Sequence, residues 1–145
     1  MVARLKLTGN SEKQLNQFKV KAKSASNVVS RGVTGIVSRT IANIRRDTQK
    51  SMRGQKTGRF YAFQGRRVQA SAPGETPAVR SGNLVNSLVS FTQRRADRIV
   101  GIARTNVTYA KYLLRKDRPI FRPALDFHKK IFIKAVDKVV RESFS

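Results

Sequence analysis

The residue types that perform chemistry are few in this chain and stand far apart. It has one histidine, His128, and no cysteine. Disulfides, thiol catalysis and thiolate metal sites are excluded on that count alone. General acid–base or nucleophilic catalysis needs a base and a partner within hydrogen-bond reach. His128 falls on the inner face of an amphipathic C-terminal segment, where a core or interface histidine is expected rather than a catalyst. The carboxylates Asp47, Asp97, Asp117, Asp126 and Asp137 are scattered, and each is expected to pair weakly with a nearby Arg or Lys. Glu75 stands alone in a loop. No two-histidine or histidine-plus-carboxylate spacing suggests a metal site. Gly54-Gln55-Lys56-Thr57-Gly58 has a superficial likeness to a phosphate loop. It lacks the spacing of Gly, four residues, then Gly-Lys-Ser/Thr, and no buried apolar strand precedes it. The expectation is a non-enzyme with no catalytic, cofactor-binding or metal-ligating residues.

Charge is the stronger signal. The 31 Lys and Arg against 8 Asp and Glu give a formal net charge of +23. Self-repulsion at that charge favours an anionic neighbour, whether DNA, RNA, an anionic membrane or an acidic protein. Arg45, Arg46, Lys50, Arg53, Lys56, Arg59, Arg66 and Arg67 form a basic stretch broken by one acid, Asp47. Phe60, Tyr61 and Phe63 interleave with it. Such a pattern can face DNA, with cations following the phosphates and aromatics stacking on bases. The plain alternative is a solvated basic face over core aromatics. No helix-turn-helix, zinc-finger or RNA-binding sheet motif accompanies it. The N-terminus lacks the apolar core of a signal peptide, and no apolar run approaches the ~18 residues of a membrane span. The expectation is a soluble, cytoplasmically made chain without membrane contact.

These residues are positioned by an alternation of helices and short strands. At 145 residues the chain is expected to form one domain, 1–145. Val2 to Leu7 alternates weakly as a short strand. Ser11 with Gln14 has capping-box spacing and opens a helix. Leu15, Phe18, Ala22, Ala25, Val29, Val33, Ile36, Ile41, Ile44, Thr48 and Met52 follow at helical spacing. Gly32 and Gly35 each cost about 1 kcal/mol relative to Ala in a helix interior, so a bend or break is expected there. Two helices, about 11–31 and 36–53, remain an option. Arg59–Phe63 and Arg66–Ala70 flank Gln64-Gly65 as a β-hairpin. A Pro-stiffened loop then runs to Ser81, which can cap a short helix through about Ser87. Leu88–Arg94 and Arg98–Ala103 read as strands joined by a turn at residues 95–97, with Gly101 marking a bulge or a close approach. Asn106 or Thr108 can cap a turn of helix carrying Tyr109, Tyr112 and Leu113. Pro119 and Pro123 keep the next approach extended, and Pro123 suits the first turn of the last helix. That helix turns His128 inward and Lys129, Lys130, Lys134, Lys138 and Arg141 outward. The fold class is α+β: a long N-terminal helix and a C-terminal helix packed on a small, mostly antiparallel sheet.

Two loops carry the most distinctive spelling. Gly58-Arg59-Phe60-Tyr61, then residues 69–79 (Gln-Ala-Ser-Ala-Pro-Gly-Glu-Thr-Pro-Ala-Val), then Ser81-Gly82-Asn83-Leu84 with Ser87-Leu88, resemble the small tail-completion proteins of long-tailed bacteriophages. Tyr109-Ala110-Lys111-Tyr112 and residues 118–125 (Arg-Pro-Ile-Phe-Arg-Pro-Ala-Leu) match that family's closing motif. The likeness covers roughly residues 58–126. One departure is the segment 113–118, which replaces a longer Glu-x-Gly-Thr-like run. The resemblance implies a structural virion protein of the head–tail junction, a tail terminator assembled in the host cytoplasm. Such proteins cap the finished tail tube, usually as a hexameric ring, and dock to the head-side connector or stopper, with DNA passing through the ring. Implied partners are further copies of this chain, the tail tube protein and that connector, with non-specific DNA proximity. Interface contacts are then expected from Ser71, Pro73, Gly74, Glu75, Pro77, Arg80, Arg118, Pro119, Phe121 and Arg122. The alternative is a basic, non-enzymatic nucleic-acid-binding module. A hydrolase or nuclease would need a carboxylate cluster that the spacing does not supply.

Overall fold

A computed structural model describes residues 2–5, 27–95 and 98–144. The expected N-terminal cap at Ser11, the helical residues up to Ala25 and the turn residues 96 and 97 lie outside this set. The described elements are β1 (Val2–Leu5), α1 (Asn27–Arg53), β2 (Phe60–Phe63), β3 (Arg66–Gln69), α2 (Asn83–Ser87), β4 (Val89–Arg95), β5 (Arg98–Arg104), α3 (Ala110–Arg115) and α4 (Arg122–Phe144).

The apolar spacing of α1 places Val29, Val33, Ile36, Val37, Ile41, Ile44, Thr48 and Met52 on a buried stripe. One face of that stripe packs on β4 and β5, and another packs on α4. The fold is α+β, as expected, with α1 in contact with both the sheet and α4. The helix runs unbroken through Gly32 and Gly35, so of the expected bend or break the break does not occur. Gly32 has a packing reason: a Cβ there would stand 3.1 Å from Val139 Cγ1 of α4. The helix–helix approach compensates for the lower intrinsic propensity.

The main sheet has the order β1-β5-β4, with both pairings antiparallel. Gly101 marks a close approach, not a bulge. Its register is regular against both Leu5 and Thr92, and a Cβ would stand 3.1 Å from Val37 Cγ1 and 3.2 Å from Ile41 Cβ. The second sheet is the β2–β3 hairpin alone. Gln64 (φ 50°) and Gly65 (φ 75°) both take positive φ, as the tight two-residue turn between these strands requires.

Helix boundaries differ from the expected ones where backbone geometry outranks side-chain caps. α2 starts at Asn83 behind Gly82, which takes φ 83° at the N-cap; Ser81 Oγ accepts only the Asn83 N–H at 3.4 Å. α3 has Tyr109 at its N-cap instead of Asn106 or Thr108. α4 begins at Arg122 with Pro123 in its first turn, and the Phe121 carbonyl accepts the Leu125 N–H at 2.9 Å. Ile120 and Phe121 are both buried, so the extended approach is anchored in the core before the helix starts. On α4, His128 and Phe132 face inward while Lys129, Lys130, Lys134, Lys138 and Arg141 are exposed.

Candidate functional site

The two distinctive loops meet. α3 ends with Asp117 in the left-handed region, φ 53°. The Arg118 N–H then reaches the Leu113 carbonyl at 2.9 Å and the Asp117 N–H reaches the Leu114 carbonyl at 3.1 Å, the paired bonds of a Schellman stop. That turn leaves the Asp117 carbonyl pointing outward, where it accepts the Gly74 N–H at 2.7 Å. The loop at residues 69–82 is therefore tied to the end of α3 by its own backbone.

A second tie lies at the start of the same loop. The Glu75 carboxylate accepts the Ala72 N–H at 2.8 Å, the Thr57 hydroxyl at 2.7 Å and the Thr57 N–H at 3.3 Å. Glu75 does not stand alone: it joins the turn after α1 to the long loop. Those hydrogen bonds, from the Ala72 backbone first, hold its carboxyl below the ordinary glutamate range. Lys56 lies beneath it, 9 % exposed, donating to the Ser51 carbonyl at 2.7 Å and to Thr76 Oγ1 at 3.0 Å. Burial pushes the Lys56 ammonium below the usual lysine range, with the Glu75 charge opposing the shift. Gly54–Gly58 is thus a structural turn whose lysine faces the protein interior.

Between these ties lies a groove of about 500 Å³. Its floor is apolar, with Met52, Leu84 and Val85 buried beneath Val79 and Leu113. Tyr109 and Tyr112 border it and are exposed, Tyr112 at 58 %. Three cations line it, Arg80, Lys116 and Arg118, and among the described residues no carboxylate does. Arg80 stacks over the Tyr61 ring at 4.8 Å, Lys116 over Tyr112 at 5.4 Å, and Arg118 donates to the Lys116 carbonyl at 2.8 Å.

The expected interface residues divide sharply. Pro73, Gly74, Arg80 and Arg122 are exposed; Glu75, Arg118 and Pro119 are half-buried. Ser71, Pro77 and Phe121 are buried inside the protomer, where they contribute to its packing. Among the expected DNA-facing residues, Lys56 is likewise buried. Arg45 is half-buried, its Nε enclosed without a hydrogen-bond partner among the described residues. Arg46, Lys50 and Arg53 share one exposed stripe of α1, and Arg59, Arg66 and Arg67 are exposed on and beside the hairpin. The hairpin aromatics are partly engaged already, with Arg67 over the Phe60 ring at 4.3 Å.

The remaining carboxylates are accounted for as ion pairs with neighbours in several cases: Asp126 with Arg122 at 4.0 Å, Asp137 with Arg141 at 3.0 Å, Asp47 with Arg46 at 3.4 Å. Asp47 also meets His128, which sequence reasoning placed inward without finding this partner 81 positions away. Sequence reasoning also missed the groove: its floor comes from α1, α2 and α3 together, and only Tyr109, Tyr112 and Leu113 had been grouped. Among the described residues no three His, Asp or Glu side chains gather as a metal site would require, and no helix is long and apolar enough to cross a membrane. Comparison with protein-family models, with curated proteins and with solved structures finds no match for this chain.

Proposed function

We propose that this chain is a structural protein of a long-tailed phage particle, acting at the head–tail junction by ring formation and docking. The observation that carries this reading is the joining of the two motif-bearing loops. The Gly74–Asp117 bond brings residues 69–84 against the approach to α4, and both border a groove with exposed tyrosines and three cations that no carboxylate among the described residues pairs. A surface held by backbone hydrogen bonds, a buried lysine and a bound carboxylate is pre-organised, which lowers the ordering cost of association. Arg80 and Arg122 are the exposed members of the two loops best placed to reach a neighbouring subunit or connector. On α4, Phe127 and Ile131 stand one turn apart and are 67 % and 53 % exposed, an apolar pair that contact between subunits would cover.

The test is light scattering after size-exclusion chromatography, with negative-stain imaging of the main peak. The expected result is a closed ring near six times the 16.3 kDa protomer mass, either in solution or on addition of tail tubes. A protomer that stays single in both settings overturns the ring.

The second reading, a nucleic-acid-binding module, is favoured by one observation. Arg46, Lys50 and Arg53 align on one exposed helical stripe close in sequence to the exposed arginines of the hairpin. A single protomer that holds duplex DNA with steep salt dependence is the outcome this reading expects.

A further inference from the structure

We infer that the groove between α2 and α3 is a docking site for an extended acidic–apolar peptide segment of a partner protein. The inference rests on the docking role proposed above and supplies the chemistry of what docks. Three observations converge. The groove volume, about 500 Å³, lies within the ~300–1,000 Å³ range of sites that enclose a ligand. Its floor of Met52, Leu84, Val85 and Leu113 offers hydrocarbon contact, and Tyr109 and Tyr112 offer broad amphipathic faces at its edge. Arg80, Lys116 and Arg118 are pinned by ring or backbone contacts, and none forms an ion pair with a carboxylate among the described residues.

Charge complementarity selects the occupant. An apolar peptide alone would leave three cations partly desolvated without a counter-charge. A second copy of this chain would bring a further +23. A segment that alternates large apolar side chains with Asp or Glu satisfies both parts of the groove, because successive side chains of an extended strand point to opposite faces. Glu75 does not compete for these cations, since the Ala72 and Thr57 groups already hold its oxygens. Asp117 is near in sequence but does not line the groove.

The experiment uses the full chain and a fluorescein-labelled peptide alternating Phe and Glu, followed by anisotropy at about 0.15 M salt, where charges beyond about 8 Å are screened. Saturable binding is expected. Two peptide controls, Glu→Gln and Phe→Ser, are each expected to bind at least about tenfold more weakly, a loss of roughly 1.4 kcal/mol. The variant Arg80→Gln with Arg118→Gln is expected to lose affinity by the same factor, and Tyr112→Ala to lose it in part. The pair Arg46→Gln with Lys50→Gln, on the exposed α1 stripe that does not line the groove, is expected to leave it unchanged. Circular dichroism confirms that the variants fold. Failure of the parent protein to bind overturns the inference. So does equal binding of the Phe→Ser peptide, equal weakening by the α1 pair, or equal displacement by duplex DNA, since each reports general charge attraction. Peptide binding without rings overturns the ring and leaves the groove standing; rings without peptide binding do the reverse.

Discussion

His128 Nε2 stands 2.6 Å from Asp47 Oδ2, joining α4 to α1 across the seam that the long apolar stripes close. The hydrogen bond from His128 is the main cause holding the Asp47 carboxyl below the ordinary aspartate range; burial opposes it next, and Arg46 adds to the lowering. An ionised carboxylate only accepts, so the imidazole N–H donates. A depressed carboxyl contributes stability that is present above its unfolded value, about 3.9, and is lost as pH falls through the folded value. Asp47→Asn is therefore expected to lower stability at pH 7 by about 1 kcal/mol. The gap between variant and parent is expected to narrow below about pH 4. Urea titrations across that range check both points, and a gap that widens on acidification refutes the assignment.

The buried ammonium of Lys56 makes the opposite prediction about pH. Its folded value lies below the unfolded one, about 10.4, so the unfolded chain binds more protons in between. Stability from this group accordingly rises with pH toward that upper limit. Lys56→Met removes the slope and one donor from each partner; the Ser51 carbonyl keeps the Gly54 N–H and the Thr76 hydroxyl keeps Ser51 Oγ. The expected net cost at pH 7 is about 1.5–3 kcal/mol, that of losing hydrogen bonds from a charged donor. Lys50→Met, on the exposed stripe, is expected to change stability by less than about 0.5 kcal/mol. Parallel melts of the two variants read the contrast, and equal effects would mean that Lys56 is not enclosed in solution.

Glu75 is expected to control the order of the long loop. Its carboxylate binds Thr57 and Ala72 at once, so Glu75→Ala frees the turn after α1 and the start of the loop together. Hydrogen exchange is expected to quicken at the amides of Thr57 and Ala72 while the α1 interior stays protected. Acidification is expected to mimic the variant in the parent protein, because the depressed Glu75 carboxyl holds the loop only while ionised. Unchanged exchange at both amides would remove Glu75 from this role.

The contrast between these sites shows what the sequence made legible. The stripe from Val29 to Met52 was readable because helical burial repeats locally, and the hairpin because Gln64-Gly65 supplies its turn within two residues. The unbroken path through Gly32 was not readable: its reason is Val139, more than a hundred positions away. The same holds for His128 with Asp47, and for the pairing of β1 with β5. For the two motif-bearing loops, the spelling marked segments that meet in the fold but not the direction of their side chains. Ser71, Pro77, Phe121 and Lys56 turn inward because tertiary hydrogen bonds and core contacts, absent from any local pattern, decide their orientation.

Phe132 tests the helix–helix layer on which the site is built. It is 2 % exposed and, among the described residues, is the largest of the fully buried side chains. Phe132→Ala is expected to cost about 3–5 kcal/mol, since a ring-sized cavity there cannot be closed by two helices already in contact at Gly32 and Val139. Denaturant titration measures the loss, and a cost under about 1 kcal/mol would mean that α4 does not pack on α1 as described.

Asp117 carries the last prediction, because one backbone conformation there positions both loops. An L-residue in the left-handed region is strained by up to about 1–2 kcal/mol, less for Asp, whereas glycine adopts it freely. Asp117→Gly is expected to keep the Schellman stop and the Gly74 bond and to raise stability by a few tenths of a kcal/mol up to about 1. Asp117→Val is expected to do the reverse, since a β-branched residue resists positive φ. Its carbonyl would then turn from Gly74, and hydrogen exchange at the Gly74 amide would quicken even where the global melt changes little. Should Asp117→Val leave that amide as protected as in the parent, the two loops are held together by something other than this bond.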